Sequence, residues 1–437
     1  MTTSLILNLR FSGRIAGLSR SDRDVLFDRS TSSDARVREQ TSAIVREVRS
    51  RGDAALRDMA RRFDGVDLES LEVPRARWFA ALDGIDAQLR RAMERSVNNI
   101  RRAHEAFLPQ AAECETETGI VVGRRPDPFE RVGVYAPGGR ASYPSSLLMG
   151  GVPARVAGVS EVIVCSPPEA DAMPSRAILA AAALAEVDRV FAIGGAGAVA
   201  AMAYGTETVP RVDRIVGPGN AYVAEAKLQV SGAVAIDSPA GPSELLVLAD
   251  GSCDPRAIAP EVLAQAEHDP RACVVVVTLD DLTASAIVEA ITALAEDQPR
   301  GEIIAQSLAT NGGVLVADSV DEAIAFSNEY APEHLLVVLT DAENALPRLR
   351  NAGTIFLGTS SSVSFGDYMT GANHVLPTGG LARSYSGLSV LDFVRWTTYQ
   401  RVSPAAARSL ARDVAAFAEA ERLPGHAAAA RFAGGEQ

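Results

Sequence analysis

The stretch Val132–Cys165 reads VGVYAPGGRASYPSSLLMGGVPARVAGVSEVIVC and contains two kinds of pattern. Short runs rich in β-branched residues open and close it, at Val132–Tyr135 and Glu161–Cys165, and the helical pattern Tyr143–Gly158 lies between them. A strand, a crossover helix and a second strand form a right-handed unit in which the two strands are parallel. The stretch therefore predicts an α/β fold built on a parallel sheet.

The same alternation of strands and Ala-rich helical patterns continues along the chain. Seven further strand candidates follow: Arg189–Ile193, Arg214–Val216, Glu244–Leu248, Cys273–Thr278, Gly313–Val316, His334–Leu339 and Thr354–Leu357. So many strands predict two sheets rather than one, and a cluster of turn residues at Asp237–Ser243 marks a seam between them. We expect two Rossmann-like domains with mostly parallel sheets, together with small helical N- and C-terminal extensions.

The expected domain boundaries follow from this seam and from the helical patterns that precede the first strand. The segments are an N-terminal arm at 1–30, a first, discontinuous α/β domain at 31–130 and 244–385, a second α/β domain at 131–243, and a helical C-terminal tail at 386–437. The first domain is thus expected to be interrupted by the second.

The composition excludes several classes of protein. The 437 residues carry 42 Lys and Arg against 55 Asp and Glu, a net charge of −13, and no basic run, which argues against nucleic acid as a partner. The longest apolar runs, such as Cys273–Leu279, are too short to span a bilayer. The N-terminus lacks a signal-peptide pattern and the four cysteines form no Cys-x-x-Cys pair, so we expect a cytoplasmic protein without disulfides.

Lysine and histidine are scarce in this chain. Lys227 is the only lysine, so a lysine Schiff base would have to form at Lys227. The P-loop pattern of phosphate-binding proteins is absent. The five histidines are His104, His268, His334, His374 and His426. Of these, His104 stands among charged residues of a helical pattern and is expected to be a solvated bystander.

Three Gly-rich turns follow predicted strands, which is where ligands of parallel α/β sheets bind. They are Tyr135–Gly139, Gly194–Gly197 and Gly217–Asn220. The second fits Gly-x-Gly-x-x-Ala through Gly195 and Gly197, a pattern that places a dinucleotide phosphate at a helix N-terminus. No acidic residue follows at the usual spacing of about 20 residues, so a tight turn without a ligand is the simpler interpretation of each turn taken singly.

Side chains with acid–base or metal-binding chemistry lie in short polar segments. Gln265 and His268 stand three residues apart on one face of a predicted helix, although a lone helical histidine is more often packed or exposed than a ligand. The adjacent Glu333 and His334 open a predicted strand and suit proton transfer, because histidine titrates near neutral pH. The remaining segments are Gly366–Tyr368 and Asn373–His374. Histidine, carboxylate and amide ligands together suit Zn²⁺ with a position left open for substrate.

Six motifs stand in order along the chain: Val134–Gly139, Gly217–Asn220, Ala240–Glu244, Gln265–His268, Ala331–Leu335 and Asn373–Thr378. Together they resemble the histidinol dehydrogenase family, and the likeness runs from about residue 35 to residue 430. The resemblance implies an enzyme that binds zinc and NAD and oxidises L-histidinol through L-histidinal to L-histidine, consuming two NAD⁺, in histidine biosynthesis. It also implies a homodimer of intertwined subunits with shared active sites and one zinc ion per subunit.

The resemblance implies a role for individual residues as well. His334 would accept the hydroxyl proton during hydride transfer, and Glu333 would activate the water that hydrates the aldehyde. The implied zinc ligands are Gln265, His268, Asp367 and His426, the last from the partner chain's tail. The implied substrate contacts are Ser243, Gln265, His268, His334, Asp367, His374, Glu421 and His426. The implied NAD contacts are Tyr135, Gly197 and Asn220.

The chain departs from the family pattern at two places. Gly197 stands where the family usually has Gln, and Ser361–Val363 stands where the family usually has Ser-Pro-Glu. The second departure leaves open a related zinc and NAD dehydrogenase of another small polar alcohol, such as sulfopropanediol. A catalytically silent, zinc-stabilised dimer or ligand-binding protein is the remaining alternative, and the intact Glu333–His334 pair argues against it.

Overall fold

The computed structural model of the chain describes residues 8–29, 34–138, 142–296 and 298–436. Gly139, the last residue of the Tyr135–Gly139 turn, lies outside the described residues, as does the beginning of the expected N-terminal arm. Within the described residues, no helix is long and apolar enough to cross a membrane.

The strands of the described residues, in chain order, are β1 (Phe11–Arg14), β2 (Ala112–Glu117), β3 (Ile120–Pro128), β4 (Arg131–Tyr135), β5 (Glu161–Ser166), β6 (Arg189–Ala192), β7 (Arg214–Val216), β8 (Ala235–Ile236), β9 (Glu244–Ala249), β10 (Cys273–Thr278), β11 (Gly312–Val316), β12 (His334–Val338), β13 (Thr354–Leu357) and β14 (Val394–Val402). All nine strands predicted from the sequence are therefore confirmed.

The α-helices of the described residues, in chain order, are α1 (Arg20–Phe27), α2 (Ala35–Arg51), α3 (Asp53–Met59), α4 (Arg75–Gly84), α5 (Ala87–Ala106), α6 (Pro144–Ala157), α7 (Arg176–Leu184), α8 (Gly195–Tyr204), α9 (Ala221–Val230), α10 (Pro255–Ala266), α11 (Asp281–Ala295), α12 (Gly301–Asn311), α13 (Val320–Tyr330), α14 (Ala342–Ala345), α15 (Val363–Tyr368), α16 (Pro404–Ala420) and α17 (Pro424–Ala433). Short 3₁₀ and π turns connect some of them.

Two parallel sheets form the body of the molecule, as the alternation of strands and helices predicted. The five-stranded sheet has the order β6-β5-β4-β7-β8, and the six-stranded sheet has the order β1-β11-β10-β9-β12-β13. Strands β9 and β10 are buried along their whole length. Their alternate residues enter two separate hydrophobic clusters, with Leu245 and Val247 on one face and Leu246 and Leu248 on the other. Helices cover both faces, which is why these strands are apolar at every position rather than at every second one.

A third, antiparallel sheet of order β14-β3-β2 was not predicted. Strand β14 pairs with β3 along its full length, from Val394 opposite Pro128 to Val402 opposite Ile120. The expectation of a wholly helical C-terminal tail is therefore wrong at these residues. Threonine, tyrosine and valine favour the extended chain here, but most of the strand is exposed, so it lacks the apolar run that marked the buried strands.

Helices α2–α5 pack against the five-stranded sheet. Their residues Val48, Leu56, Trp78 and Ile100 belong to the same hydrophobic cluster as Val132 of β4. The expected grouping of residues 31–130 with residues 244–385 does not match this packing, whereas β1 of the arm does join the six-stranded sheet. Which segments fold as independent domains stays a prediction.

His104 is buried rather than solvated. Met93, Val97, Ile100 and His104 recur at helical spacing on the buried face of α5, and His104 is only 2% exposed. Its Nδ1 accepts a hydrogen bond of 3.2 Å from the backbone N–H of Val390. Burial lowers the pKa of this imidazole to about 4. The prediction was wrong because it relied on the charged neighbours of His104 in the sequence, whereas the helical period places this residue on the buried face of α5.

Candidate active site

A cleft of about 1050 Å³ lies between the two parallel sheets, which meet it at opposite strand ends. On one wall are Tyr135, the last residue of β4, and Pro218–Asn220, which follow β7. On the other wall are Ser243, just before β9, and the pair Glu333 and His334, where β12 begins. The cleft therefore combines the carboxyl edge of the five-stranded sheet with the amino edge of the six-stranded sheet, although we expected ligands at carboxyl edges.

Glu333 is held by two donors in the wall of the cleft that contains the starts of β9 and β12. Its Oε2 accepts hydrogen bonds from the Ser243 hydroxyl (2.9 Å) and from the backbone N–H of Glu244 (2.7 Å). The residue is 6% exposed, and its Oε2 also lies 3.4 Å from His334 Nδ1. The carboxylate is thus fixed beside the imidazole and at the edge of the cleft.

His334 has a defined orientation. Its Nδ1 lies 3.0 Å from the carbonyl oxygen of Glu244, which can only accept, so Nδ1 carries a proton in this arrangement. Its Nε2 lies 3.5 Å from Asp367 Oδ1 and has no hydrogen-bond partner among the described residues. In the neutral ring this nitrogen holds the lone pair, so it is the atom of His334 that can accept a proton from a ligand in the cleft.

The carboxylates around His334 set its charge. Burial disfavours the imidazolium, but the adjacent Glu333 and Asp367 outweigh burial and raise the pKa of His334 well above its usual range. For Asp367, burial alone would raise the pKa, yet the imidazoles of His334, His374 and His268 lower the pKa overall. The site therefore attracts positive charge.

A buried ion pair lies beneath Glu333 and His334. The Arg29 guanidinium donates to Glu244 Oε2 (2.6 Å), also donates to the Tyr330 carbonyl, and lies 3.5 Å from the centre of the Tyr330 ring. Glu244 Oε1 accepts from the backbone N–H of Gly379 (2.7 Å). Burial raises the pKa of Glu244 to about 7 despite the opposing charge of Arg29. Because the backbone of Glu244 contacts both Glu333 and His334, this pair supports their positions.

The expected zinc ligands of this chain share a second cavity, which adjoins the cleft. Gln265, His268 and Asp367 all line this cavity of about 470 Å³. Gln265 is 3% exposed, and its amide Nε2 has no partner among the described residues. An amide can flip to present its oxygen instead, so the orphaned end fits a metal ligand. No group of three or more His, Cys, Asp or Glu in the described part of the chain could hold a metal by itself, so His268 and Asp367 need further ligands.

His374 lies beside this set. Its Nδ1 is 2.7 Å from the carbonyl oxygen of Asp367, and its Nε2 is 3.4 Å from the hydroxyl of Ser146. Burial lowers the pKa of His374, although Asp367 opposes this effect. The residue lines the cleft as a neutral donor or acceptor suited to a polar substrate.

On the opposite wall, two of the expected NAD contacts face the cleft. The Tyr135 hydroxyl accepts a hydrogen bond of 3.0 Å from the backbone N–H of Gly195. The Asn220 side chain caps α9 by accepting from the N–H groups of Tyr222 (3.0 Å) and Val223 (3.2 Å). Asn220 therefore fixes the first turn of a helix that begins at the cleft, a position where backbone N–H groups favour anions.

A model of the family described as histidinol dehydrogenase matches residues 27–433 of the chain. The chain belongs to the histidinol dehydrogenase family. It is 48% identical over 394 residues to the histidinol dehydrogenase of Methanosarcina mazei, an alignment that covers 90% of this chain and 91% of that protein. It is 48% identical over 414 residues to that of Natronomonas pharaonis, covering 94% and 97%. The crystal structure of histidinol dehydrogenase from Elizabethkingia anophelis superposes with a TM-score of 0.93 at 33% identity, covering 98% of each chain.

Most of the residues that the family resemblance implied meet at the cleft and the adjoining cavity. These are Tyr135, Asn220, Ser243, Gln265, His268, Glu333, His334, Asp367 and His374. Gly197 is not among the lining residues: it is buried in α8, and an added Cβ would lie 2.9 Å from Met59 Sδ. The absence of a side chain at Gly197 therefore lets α3 pack closely against α8. This packing accounts for the second glycine of the Gly-x-Gly-x-x-Ala pattern.

Glu421 and His426 also lie away from the cleft that their proposed roles require. They belong to the hairpin of α16 and α17, whose own small core is Ala415, Ala418 and Ala427. Both residues are exposed, as are Phe417 (72%) and Phe432 (78%) on the same hairpin. The C-terminal hairpin of this chain therefore exposes large apolar side chains on its surface.

Two residues beneath the cleft were missed by the sequence reasoning. Arg29 lies in an arginine-rich segment where no local signal distinguishes it, and its partner Glu244 is 215 residues away. Lys227 was singled out for its rarity, but no role followed from its position in the sequence. Both form buried ion pairs, with Glu244 and Asp237 respectively.

Proposed function

We propose that this protein is a zinc-dependent histidinol dehydrogenase that oxidises L-histidinol through L-histidinal to L-histidine with two NAD⁺, in histidine biosynthesis. The observation that supports this most is the buried Glu333–His334 pair on one wall of a cleft whose other wall carries a helix-capping, Gly-rich turn. NAD⁺, when bound, supplies the two-electron acceptor for each oxidation.

The two adjacent residues divide the proton transfers between them. In the first oxidation, Nε2 of His334 accepts the hydroxyl proton as the C–H bond of the alcohol loses hydride, which leaves the aldehyde. As water adds to the aldehyde carbon, Glu333 accepts a proton from the water and the imidazolium of His334 returns its proton to the aldehyde oxygen, which gives the neutral hydrate and restores His334 as a base. In the second oxidation, a hydroxyl of the hydrate gives its proton to His334 as hydride leaves, which leaves the carboxylic acid. Two proton acceptors at one site suit a substrate that stays bound through both steps.

Gln265, His268 and Asp367 would hold the zinc ion. Zinc, when bound, supplies a Lewis acid that anchors the imidazole and amino nitrogens of the substrate. Asp367 would share its negative charge with that cation. His334 would then be less strongly held in its protonated form and could act as a base.

We further propose a homodimer with shared active sites. The family resemblance implies four protein ligands for the zinc ion, and three of these four residues, Gln265, His268 and Asp367, line the second cavity of this chain. His426, as a ligand, and Glu421, as a substrate contact, would come from the exposed hairpin of a second copy. The exposed Phe417 and Phe432 give that hairpin an apolar surface to bury.

The expected cellular compartment rests on cysteine chemistry. All four cysteines are free, as in proteins of reducing compartments. We therefore propose a cytoplasmic enzyme.

The decisive experiment is NADH formation by the zinc-loaded protein with L-histidinol and, in parallel, with dihydroxypropane sulfonate. We expect turnover of L-histidinol with two NADH formed per substrate. Turnover of the sulfonate alone would instead support the related dehydrogenase that the Ser361–Val363 departure leaves open. The structure still places a carboxylate near this segment, because Glu261 Oε2 accepts from the Val363 N–H (3.0 Å) and lines the second cavity. A protein that oxidises neither compound would contradict both proposals.

A further inference from the structure

The wall of the cleft with Tyr135 and the Gly217–Asn220 turn is the proposed cofactor wall, and the wall with Glu333 and His334 is the proposed catalytic wall. The only lysine of the chain is buried beside the cofactor wall. Lys227 is 2% exposed and forms an ion pair with Asp237, which is also buried. Its ammonium also lies within hydrogen-bonding distance of two carbonyl oxygens, those of Gly217 (3.1 Å) and Ser238 (3.4 Å). Lys227 does not line the cleft, and these three acceptors occupy its ammonium group, so it is not placed to be a nucleophile.

The ion pair holds both polar groups of Gly217. The Gly217 carbonyl accepts from Lys227, and the Gly217 N–H donates to Asp237 Oδ2 at 2.7 Å. Gly217 has φ +116°, and an added Cβ would clash with the carbonyl oxygen of Tyr135. The start of the Gly217–Asn220 turn is therefore fixed between the ion pair and the last residue of β4.

The same ammonium contacts the segment that leads to the catalytic wall. Ser238 precedes Ala240–Ser243, which line the cleft, and Ser243 donates to Glu333. Lys227 thus connects the turn on the cofactor wall with the strand connection that ends at the catalytic carboxylate. Both segments converge on one charged group in the interior.

A buried ion pair is a poor means of adding stability, because desolvation of two charges offsets their attraction and an apolar pair of similar size would fill the space. What a buried pair supplies is a fixed geometry for the backbone groups that it binds. We propose that Lys227 and Asp237 are positioning residues that hold the Gly217–Asn220 turn in the conformation that binds NAD⁺. This inference rests on the proposed function of the cleft.

The test compares the variants Lys227→Met and Lys227→Met/Asp237→Asn with the wild-type dimer. In the double variant the amide can still accept from the Gly217 N–H, and no unpaired charge remains buried. We expect the single variant to lose thermal stability and the double variant to regain most of it. In both, KM and Kd for NAD⁺ should rise about tenfold, because a buried hydrogen-bond donor to the turn is gone. The kcat should stay within about threefold and KM for L-histidinol should be nearly unchanged.

Arg214→Met is the matched control. Arg214 begins β7, the strand that Gly217 follows, and its partly buried pair with Asp392 (2.8 Å) lies at the other end of that strand. This variant should lose stability without any change in KM for NAD⁺.

If the double variant binds NAD⁺ as tightly as the wild-type protein, or if Arg214→Met weakens NAD⁺ binding as much as the double variant does, the positioning role is refuted and the proposed function stands. If the wild-type protein does not bind NAD⁺, the proposed function fails as well.

The single lysine offers a second measurement should the variants not fold. Protein labelled with ¹³C at lysine Cε gives one side-chain signal, since Lys227 is the only lysine. We expect saturating NAD⁺ to shift this signal, and L-histidinol alone to shift it much less. An unchanged signal at saturating NAD⁺ would overturn the proposal.

Discussion

The two walls of the cleft are built by different physical means. The wall at the carboxyl ends of β4 and β7 consists of a Gly-rich turn and a helix start, and the buried ion pair of Lys227 and Asp237 lies behind its surface. The wall at the amino ends of β9 and β12 carries buried charged side chains that face one another. The first wall offers backbone groups and shape, which suit a large anionic dinucleotide. The second offers proton acceptors, which suit the chemical steps.

The difference predicts a separation of kinetic effects. Changes on the cofactor wall should act on NAD⁺ binding, whereas changes on the catalytic wall should act on kcat, because the latter carries the proposed proton acceptors. Four substitutions follow in order of decreasing effect, three on or beneath the catalytic wall and one in the hydrophobic core.

Replacing the proposed base should have the largest effect. His334→Asn removes Nε2, the only atom of that residue able to take the hydroxyl proton, so kcat with L-histidinol should fall about 10³-fold. The Kd for NAD⁺, measured by calorimetry, should stay within about twofold of the wild-type value. A loss of NAD⁺ affinity comparable to the loss of kcat would show that the two walls are not separate.

The ion pair beneath the catalytic wall should carry the next largest effect. Arg29→Met leaves Glu244 buried without its counter-charge, so the free energy of unfolding in urea should fall by about 3 kcal/mol. The kcat should fall too, because the Glu244 backbone contacts both Glu333 and His334. Arg23→Met is the control: its pair with Glu329 is exposed, and its loss should cost less than about 1 kcal/mol. Equal losses in the two variants would argue against a supporting role for Arg29.

Glu333→Gln should separate the two oxidations. The amide keeps one acceptor for Ser243 and Glu244 but cannot accept a proton from water, so oxidation of added L-histidinal should slow about 10²-fold. Oxidation of L-histidinol to the aldehyde, followed as the first NADH released in a single turnover, should change much less. Glu329→Gln, an exposed glutamate on α13, should leave both steps unaltered. A similar loss in both oxidations would refute the division of labour between Glu333 and His334.

Features formed by neighbouring residues could be predicted from the sequence, whereas contacts between residues far apart in the chain could not. Buried strands such as β9 and β10 could be recognised because both faces are covered and every residue is apolar. The exposed β14 carries no such run, and its partner β3 lies far away in the chain. The adjacent Glu333 and His334 could likewise be recognised as a pair. Arg29 and Lys227 could not be given a role, since their contacts exist only after the chain has folded.

The burial of His104 was not predicted either. Replacing this residue should have the smallest of the four effects. It lies on the buried face of α5 and has a pKa of about 4, below the value of about 6.5 expected in the unfolded chain. The unfolded chain therefore takes up a proton first as the pH falls. The contribution of neutral His104 to stability is complete above about pH 6.5 and is lost progressively between about pH 6.5 and pH 4.

The measurement is the free energy of unfolding of the wild-type protein and of His104→Asn at several pH values. Asparagine still offers an acceptor to the Val390 N–H but does not titrate. Lowering the pH from about 7 to about 5 should therefore cost the wild-type protein roughly 1–2 kcal/mol more than the variant. If the difference between the two proteins is the same at both pH values, His104 does not stay neutral in the folded state, and the contrast between this buried neutral imidazole and the imidazole of His334, whose pKa neighbouring carboxylates raise, is refuted.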